Sequence, residues 1–223
     1  MSLDILVIRQ LGLQNWTSVF FAMKNFTHQR NHMTLDEIWL VEHPPVFTQG
    51  QTSKKEPLSA LKNIPVIQSD RGGGITYHGP GQQVLYVMLN LRRRQLSIHQ
   101  LVGAMERTVL ATLSDFSVYA HLRPGAPGVY INGKKICSLG LRIRKGCSYH
   151  GLAFNIDMDL TPFLYINPCG DPQLKMTQLI QEKPEVTISD VQPALIRNFM
   201  SHLAIKEIYW GNGIHLLGQT VQE

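Results

Sequence analysis

The spacing of hydrophobic residues along the chain predicts both helices and strands. Apolar residues recur at helical spacing through residues 15–29, which predicts a first helix. A second helix is expected after Ser97, because Ser97 and Gln100 fit a capping box before a long amphipathic stretch. Ser189 and Gln192 repeat this pairing and predict the start of a third helix.

Other segments have the pattern of strands. Ile5–Val7 predicts a first strand, and EIWLVE predicts another that ends at His43 and passes into an irregular loop. The segment QQVLYVMLNL is apolar almost throughout, which is typical of a central strand buried on both faces. Asn132 and Gly133 form the strongest short hairpin signal. Because strands and helices do not alternate strictly, we expect an α/β fold in which a mixed α+β sheet is flanked by helices.

Composition places the chain among globular proteins, with 43% hydrophobic and 17% charged residues in a length of 223. No internal repeat and no linker rich in Ser, Gly or Pro interrupts it, so we expect one domain over residues 1–223. No apolar run is long enough to span a bilayer, and the first residues lack the pattern of a secretory signal. With an odd number of cysteines, these features predict a cytoplasmic protein with free thiols.

The net charge of +5 suggests an anionic partner. Basic residues are scattered, however, and the densest run is Arg92–Arg94, which a solvated loop would also explain. The chain has no zinc-finger spacing and no basic motif interleaved with aromatic residues, so nucleic acid is not the expected partner. An acidic protein or an anionic cofactor fits the charge as well.

A glycine-rich segment, DRGGGITYHGPGQQVLYV, carries the first candidate site. It has no Lys-Ser/Thr ending of a P-loop, and a strand follows where a dinucleotide-binding fingerprint requires a helix. Its backbone could still wrap closely around a ligand, with Arg71 and His78 as polar groups. A hairpin connection is the structural alternative, but it explains one or two of the glycines rather than all of them.

The second candidate is the strand after the Asn132-Gly133 turn. Alternation with period two places Lys135 on the same face as an apolar set, whereas Lys134 faces water. A lysine that loses hydration in this way is suited to act as a general base. The alternative is a strand-end lysine whose ammonium group reaches out to solvent. The apolar set comprises Cys137, Leu139, Leu141 and Ile143.

The third candidate is Cys169, which stands between Pro168 and Gly170 on a stiff corner. Asp171 and Pro172 have the pattern of an N-cap and a first helical position, so Cys169 is expected just before a helix N-terminus. The helix dipole would favour a thiolate there. The alternative is a small packing residue under a loop.

Other chemistry is less well supported by the spacing of these residues. No Cys-x-x-Cys pair and no zincin arrangement of histidines is present, so no metal site is expected. His78 and His150 each follow a tyrosine and precede a glycine, and either could pair with Cys169 as in a cysteine hydrolase. The sequence leaves the roles of these two histidines open.

Taken together, the motifs resemble those of the lipoyl(octanoyl) transferase family. The resemblance rests on RGGGITYHGPGQQVLYV, on EHPPVFTQG and on APGVYINGKKICSLGLRIRKGCSYHGLAFNIDMDLTPFLYINPCG. It runs from about Leu40 to Cys169 and is looser at both ends of the chain. One departure is Gly74, where many members are expected to have a polar residue and where the related lipoate ligases are closer.

The resemblance implies a fold shared with the catalytic domains of biotin and lipoate protein ligases. It implies transfer of an octanoyl group from acyl carrier protein to a lysine of lipoyl domains, in 2-oxoacid dehydrogenases and the glycine cleavage H protein, without a cofactor. The acyl-accepting cysteine falls on Cys169, and the lysine that serves it falls on Lys135. The substrate-binding positions fall on Arg71, Gly72, Gly73, Gly74, Ile75, Thr76, Tyr77, His78, Ser138, Leu139, Gly140, Gly151, Leu152 and Ala153.

Three alternatives from other classes stay open at this point. An ATP-dependent lipoate-protein ligase would share the fold but would activate a free acid, so dependence on ATP separates it from a transferase. A nucleic-acid-binding module is favoured only by charge and would show salt-sensitive binding. A cysteine hydrolase would release the acyl group without an amine acceptor.

Overall fold

A computed structural model of the chain describes residues 5–53, 63–168, 171–211 and 213. Short 3₁₀ turns also occur at Thr161–Tyr165 and Leu179–Gln181. The regular elements within the described residues are β1 (Ile5–Leu13), α1 (Trp16–Gln29), β2 (Asp36–Glu42), β3 (Val46–Gln49), β4 (Val66–Gln68), β5 (Ile75–His78), β6 (Gln82–Met88), α2 (Ile98–Asp115), β7 (Val129–Ile131), β8 (Lys134–Arg144), β9 (Cys147–Asn155), α3 (Ile188–His202) and β10 (Glu207–Gly211).

The strands form one large and one small sheet. The large sheet has the order β10-β1-β2-β6-β9-β8-β7, and the small sheet has the order β4-β3-β5. Strand β1 runs parallel to β2 and to β10. The other four neighbouring pairs, β2-β6, β6-β9, β9-β8 and β8-β7, are antiparallel. The expected mixed sheet flanked by helices is therefore confirmed.

The two faces of the large sheet carry separate hydrophobic cores. Alternate residues of the central strand β6 divide between them: Leu85 and Val87 pack with α2 and α3, and Val84 and Tyr86 pack with α1. Every residue of β6 is buried, which confirms the prediction of a central strand covered on both faces. A third cluster joins the small sheet to the 3₁₀ turn through Phe47, Tyr77 and Phe163.

The helix N-termini agree with the sequence in two cases and differ in one. Asn15 caps α1, and Ser97 with Gln100 forms the predicted capping box of α2. The prediction for α3 is wrong by two residues, because its capping box is made by Thr187 and Asp190. A carboxylate oxygen of Asp190 accepts from the backbone N–H of Thr187 at 2.9 Å, and α3 begins at the next residue.

Two of the arginines in the basic run, Arg93 and Arg94, are used inside the protein. Both donate to the carboxylate of Asp36, at 2.6 and 2.5 Å, and Arg30 donates to the same carboxylate at 2.7 Å. The Asp36 side chain is fully buried, so these bonds compensate a charge that water does not reach. The cluster joins the start of β2 to the loop after β6, and this part of the chain is not the solvated loop suggested by its composition.

Removal of Asp36 is expected to destabilise the protein strongly. Asp36→Ala leaves three guanidinium groups without their shared counterion, and breaking a buried ion pair in this way costs about 3–5 kcal/mol. Denaturant unfolding measures the change. The matched control is Asp115→Ala, because Asp115 pairs with Arg197 at a site where the two side chains are 40% and 63% exposed. That variant should lose less than about 1 kcal/mol, and equal losses from both variants would contradict the prediction.

Candidate active site

A narrow cleft lies between the large sheet, the small sheet and the start of α1. Its floor is formed by β6, β8 and β9, and the register aligns these strands in two levels. At one level Val84, Ala153 and Ser138 lie side by side. At the next level, two residues further along, the neighbours are Tyr86, Gly151 and Gly140. Most of these floor residues are small, and this leaves room above the sheet.

The roof of the cleft is the glycine-rich segment, held in place by its backbone. Gly72 donates to the carbonyl of Leu141 at 2.9 Å, and Gly50 donates to the carbonyl of Gly74 at 3.1 Å. Two glycines permit this close approach: a Cβ at Gly140 would lie 3.1 Å from the Gly72 oxygen, and one at Gly50 only 2.1 Å from the Gly73 oxygen. The segment is therefore clamped between β8 and the turn after β3.

The three predicted binding segments come together around this cleft. Twelve of their residues line it, whereas Gly72 and Tyr77 do not. Tyr77 points into the third hydrophobic cluster and packs against Phe47 and Phe163, with ring centroids 5.3 and 5.5 Å away. The roles of the predicted residues in substrate binding stay predictions. The residues that line the cleft are Arg71, Gly73, Gly74, Ile75, Thr76, His78, Ser138, Leu139, Gly140, Gly151, Leu152 and Ala153.

Arg71 is buried and uses its guanidinium group to hold the roof. The Nη2 atom donates to the carbonyl of Thr48 at 2.6 Å and Nε donates to its hydroxyl at 3.2 Å. The Nη1 atom donates to the carbonyl of Gly72 at 3.0 Å. The aliphatic part of the side chain lies against Gly140, so the charge is engaged with the small sheet rather than pointed along the floor.

Four further residues line the cleft that the sequence patterns did not indicate: Trp16, Val84, Tyr86 and Pro168. Trp16 has the signal of a core residue on the apolar face of α1. The apolar run in β6 has no polar face, so its pattern does not indicate which alternate residues face a cleft. A sequence pattern cannot distinguish an apolar cleft wall from a core.

Lys135 is buried, as predicted, but it lies on the other face of β8 from the one expected. Val129 pairs with Cys137, whereas the next residue of β7, Tyr130, pairs with Lys135, so Ile136 is an extra residue on β8. Such a bulge reverses the alternation on one side of it. Cys137 therefore packs with the helices α2 and α3, and Lys135 faces the opposite side with Tyr130. The prediction that Lys135 shares a face with Cys137 is wrong for this reason.

The surroundings of Lys135 are close and mostly apolar. The residue is 1% exposed, its Nζ donates to the carbonyl of Pro127 at 2.9 Å and it lies 5.3 Å from the centre of the Tyr130 ring. A Cβ at Gly128 would be only 2.6 Å from Cε of the lysine. The neighbouring Lys134, the first residue of β8 and the partner of Ile131 in the sheet, is exposed as expected.

The backbone of Lys135 ties β8 to the chain segment that follows residue 169. Its N–H donates to the carbonyl of Lys175 at 2.8 Å, and its carbonyl accepts from Thr177 at 2.9 Å. Before residue 169, Pro168 lines the cleft. The chain therefore meets the cleft at Pro168 and lies beside the buried lysine at Lys175 and Thr177.

Two of the three cysteines, Cys137 and Cys147, lie within the described residues. Cys169 and Gly170 lie outside the described residues. The helix expected from Asp171 is absent from residues 171–175, because Asp171 accepts from the N–H of Gln173 at 2.9 Å in a turn instead. The helix-dipole argument for a thiolate is therefore wrong. Cys137 and Cys147 are buried free cysteines, and burial raises the pKa of the Cys137 thiol strongly, with Lys135 nearby opposing the shift.

Two buried histidines beside the cleft are held neutral. His43 donates through Nδ1 to the carbonyl of Gln14 at 2.7 Å, so its Nε2 accepts from the hydroxyl of Tyr86 at 2.8 Å. The His78 Nδ1 donates to Gln82 at 2.7 Å. Burial is the main cause that lowers the pKa of His43 to about 4 and that of His78 to about 3.

These histidines predict a loss of stability in acid. Above pH 6.5, the ordinary pKa, both states keep His43 neutral. As pH falls towards 4 the unfolded chain binds a proton that the folded chain excludes, so the free energy of unfolding falls by about 1.4 kcal/mol per pH unit for each such histidine. Urea titrations at several pH values should show a smaller slope for His43→Gln and an unchanged slope for the exposed control His99→Gln. An unchanged slope for His43→Gln would contradict the prediction.

His150 stands at one end of the cleft in an uncommon backbone conformation, with φ of +59°. Its Nε2 donates to Asp70 at 2.8 Å, and the Tyr149 hydroxyl donates to the same carboxylate at 2.7 Å. Burial lowers the pKa of His150, although Asp70 opposes this shift. Partial burial alone would raise the pKa of Asp70, but the bonds from His150 and Tyr149 hold it below the usual value.

The described part of the chain has neither a membrane-spanning helix nor a cluster of metal-ligating side chains. No helix in residues 5–53, 63–168 or 171–211 is both long and apolar enough to cross a membrane. Across those same residues, His, Cys, Asp and Glu side chains do not come together in groups of three or more suited to a metal ion.

Comparison with known proteins gives a consistent result. The chain matches the lipoyl protein ligase A/B catalytic domain over residues 18–200. It is 64% identical to the octanoyltransferase of Erwinia tasmaniensis over 210 residues, 94% of each protein. It is 56% identical to the octanoyltransferase of Escherichia coli over 200 residues, 90% of this chain and 94% of that protein.

Solved structures show the same fold at low sequence identity. A lipoate-protein ligase A bound with ATP is similar with a TM-score of 0.76 and 17% identity, covering 93% of this chain and 88% of the other. A biotin protein ligase from Aquifex aeolicus in complex with biotin and ATP has a TM-score of 0.58 and 12% identity, covering 89% and 70%. The expected likeness to the biotin and lipoate ligase catalytic domains is confirmed for the fold.

Proposed function

Because this chain belongs to the octanoyltransferases of the lipoyl protein ligase A/B catalytic domain family, we propose that it moves an octanoyl group from acyl carrier protein to a lysine of a lipoyl domain. Cys169 carries the group as a thioester, and Lys135 is the general base. The acceptors are the lipoyl domains of 2-oxoacid dehydrogenases and the glycine cleavage H protein. The cleft between the two sheets holds the octanoyl chain.

The observation that carries this proposal is the buried Lys135, which is 1% exposed on β8, the strand that also supplies Ser138, Leu139 and Gly140 to the cleft. Removing an ammonium group from water costs free energy even when its Nζ donates to a carbonyl, as it does here to Pro127 at 2.9 Å, so a buried lysine in this place is consistent with a functional role. Its backbone is bonded to the segment that follows residue 169, and the residue before Cys169, Pro168, lines the cleft. The chain around the proposed nucleophile is thus attached at both ends to the cleft and to the base.

The other two cysteines support the choice of Cys169. Cys137 is 0% exposed and packs between the sheet and the helices, where burial raises the pKa of its thiol. Cys147 is 5% exposed at the start of β9. The thiolate is the form that attacks a thioester, and a thiol in apolar surroundings does not form it readily.

The reaction has two acyl-transfer steps, and Lys135 handles the proton in each of them. Neutral Lys135 takes the proton of the Cys169 thiol, the thiolate attacks the carbonyl carbon of the donor thioester and forms a new C–S bond, and the thiolate of the carrier's phosphopantetheine leaves and takes that proton from the Lys135 ammonium group. The acceptor amine then attacks the enzyme thioester, the Cys169 sulfur leaves, and Lys135 in its neutral form takes the proton from the amine. No phosphoanhydride bond is consumed, because the donor thioester is already activated.

A direct test separates transfer from ligation. Purified protein is mixed with octanoyl-acyl carrier protein and a lipoyl domain, without ATP and with EDTA, and the acceptor is followed by intact mass. We expect full octanoylation under these conditions, and no modification by free octanoate with ATP and Mg²⁺. A lipoyl domain modified only in the second mixture would identify a ligase and overturn the proposal.

A further inference from the structure

The sheet register gives the length of the cleft along β8. Ser138 is the residue of the cleft lining that lies nearest to Lys135 along this strand, and Pro168 lines the same cleft. His150 pairs with Leu141, three residues further along β8 than Ser138. Three residues of a strand span about 10 Å.

This distance matches an eight-carbon chain. With C–C bonds of about 1.5 Å, an extended octanoyl group is about 9 Å long from its carbonyl carbon to its methyl group. A carbonyl group at the level of Ser138 therefore places the methyl group at the level of His150. At the level of Ser138 the floor carries Val84 and Ala153, and at the next level it carries Gly140 and Gly151, which offer apolar contact without obstruction.

Aromatic rings pack around His150, at the end of the cleft away from Lys135. Trp16 stacks on Phe20 with ring centroids 4.8 Å apart, and Phe20 stacks on His150 at 5.7 Å. The Tyr86 ring stands edge-on to His150 at 6.2 Å, and its hydroxyl is held by His43 at 2.8 Å. Because each ring is packed against another and Trp16 is only 2% exposed, the wall has little freedom to move aside.

The polar groups near this wall do not interrupt the apolar path. The guanidinium group of Arg71 is bonded to Thr48 and Gly72, and its aliphatic stem faces Gly140. His78 bonds to Gln82 through Nδ1 and is neutral near pH 7, because burial lowers its pKa to about 3. A methylene chain can therefore lie along the cleft without displacing a charged group.

We propose that Trp16, Tyr86 and His150 form the end wall that limits the acyl chain to about eight carbons. This inference rests on the proposed function of the cleft. Removing part of the wall should admit longer chains, and two further buried methylene groups correspond to roughly tenfold in relative kcat/KM. Filling the floor should have the opposite effect and favour shorter chains.

The test compares acyl carrier proteins loaded with hexanoyl, octanoyl, decanoyl and dodecanoyl groups. Trp16→Leu should raise the ratio of decanoyl to octanoyl kcat/KM by about tenfold relative to wild type. Ala153→Val narrows the floor and should raise the ratio of hexanoyl to octanoyl kcat/KM. This second variant provides the test if Trp16→Leu folds poorly. Phe21→Leu is the matched control, because Phe21 is an α1 aromatic that is 56% exposed outside the cleft. Its chain-length profile should equal that of wild type.

The possible outcomes are distinct. Unchanged chain-length ratios in both Trp16→Leu and Ala153→Val, with octanoyl transfer intact, would overturn the end-wall assignment and leave the proposed function standing. A rise in KM for the carrier protein that is equal for all chain lengths would mean that the cleft holds the carrier's pantetheine arm, and would also overturn it. A wild-type protein that transfers no octanoyl group would instead contradict the proposed function.

Discussion

Lys135→Met is expected to lower kcat/KM for octanoyl transfer by about 10²–10⁴-fold, the usual contribution of a general base. The Met side chain keeps much of the volume of lysine and removes only the amine, so the packing against Tyr130 and Gly128 should survive. Transfer from octanoyl-acyl carrier protein to a lipoyl domain, followed by mass spectrometry, measures the effect.

Lys134→Met is the matched control because Lys134 precedes Lys135 in the sequence but is exposed. Its kcat/KM should stay close to that of wild type. Thermal unfolding of both variants separates lost chemistry from lost structure. An equal loss of activity in the two variants, or a Lys135→Met protein that is folded and fully active, would rule out Lys135 as the base.

Cys169→Ser should abolish measurable transfer, with a loss of about 10³-fold or more, since a hydroxyl is a poor nucleophile without the activation that a thiolate has by itself. Before acceptor is added, wild-type protein mixed with octanoyl-acyl carrier protein should gain the mass of one octanoyl group. The serine variant should gain none under the same conditions.

The remaining cysteines provide the controls for this experiment. Cys137→Ala and Cys147→Ala should still form the acyl-enzyme, because both thiols are buried away from the cleft lining. Peptide mapping of the wild-type adduct locates the label. A label on Cys137 or Cys147, or full transfer by Cys169→Ser, would mean that the nucleophile has been assigned wrongly.

Local signals in the sequence predict the local structure well. The capping box of α2, the buried central strand and the turn at Asn132-Gly133 all depend on residues within one element or between two adjacent ones, and all three are confirmed. The errors arise where a local pattern has two solutions. Thr187 caps α3 in place of Ser189, and the residues after His43 form strand β3 because β4 and β5 pair with them.

Features that depend on distant contacts could not be predicted from local patterns. Asp36 meets Arg93 across 57 residues of sequence, so composition alone suggested a solvated run. The burial of Lys135 was predicted, but its face was not, because the extra residue depends on the pairing of β8 with β7. The same holds for the cleft. Sequence motifs identified three of the segments that line it, whereas Trp16 and Tyr86 have the sequence pattern of core residues and line the cleft only because of how α1 and β6 pack in the fold.

The extra residue at Ile136 also affects how this chain should be aligned with distant relatives. Gaps are commonly confined to loops, but here one residue is inserted within a paired strand. An alignment that forces β8 to run without a gap against a relative lacking the insertion would be in register on only one side of Ile136. It would then equate Lys135 with a residue from the opposite face of the sheet, and a missing lysine in such a comparison could be an artefact of gap placement rather than a lost function.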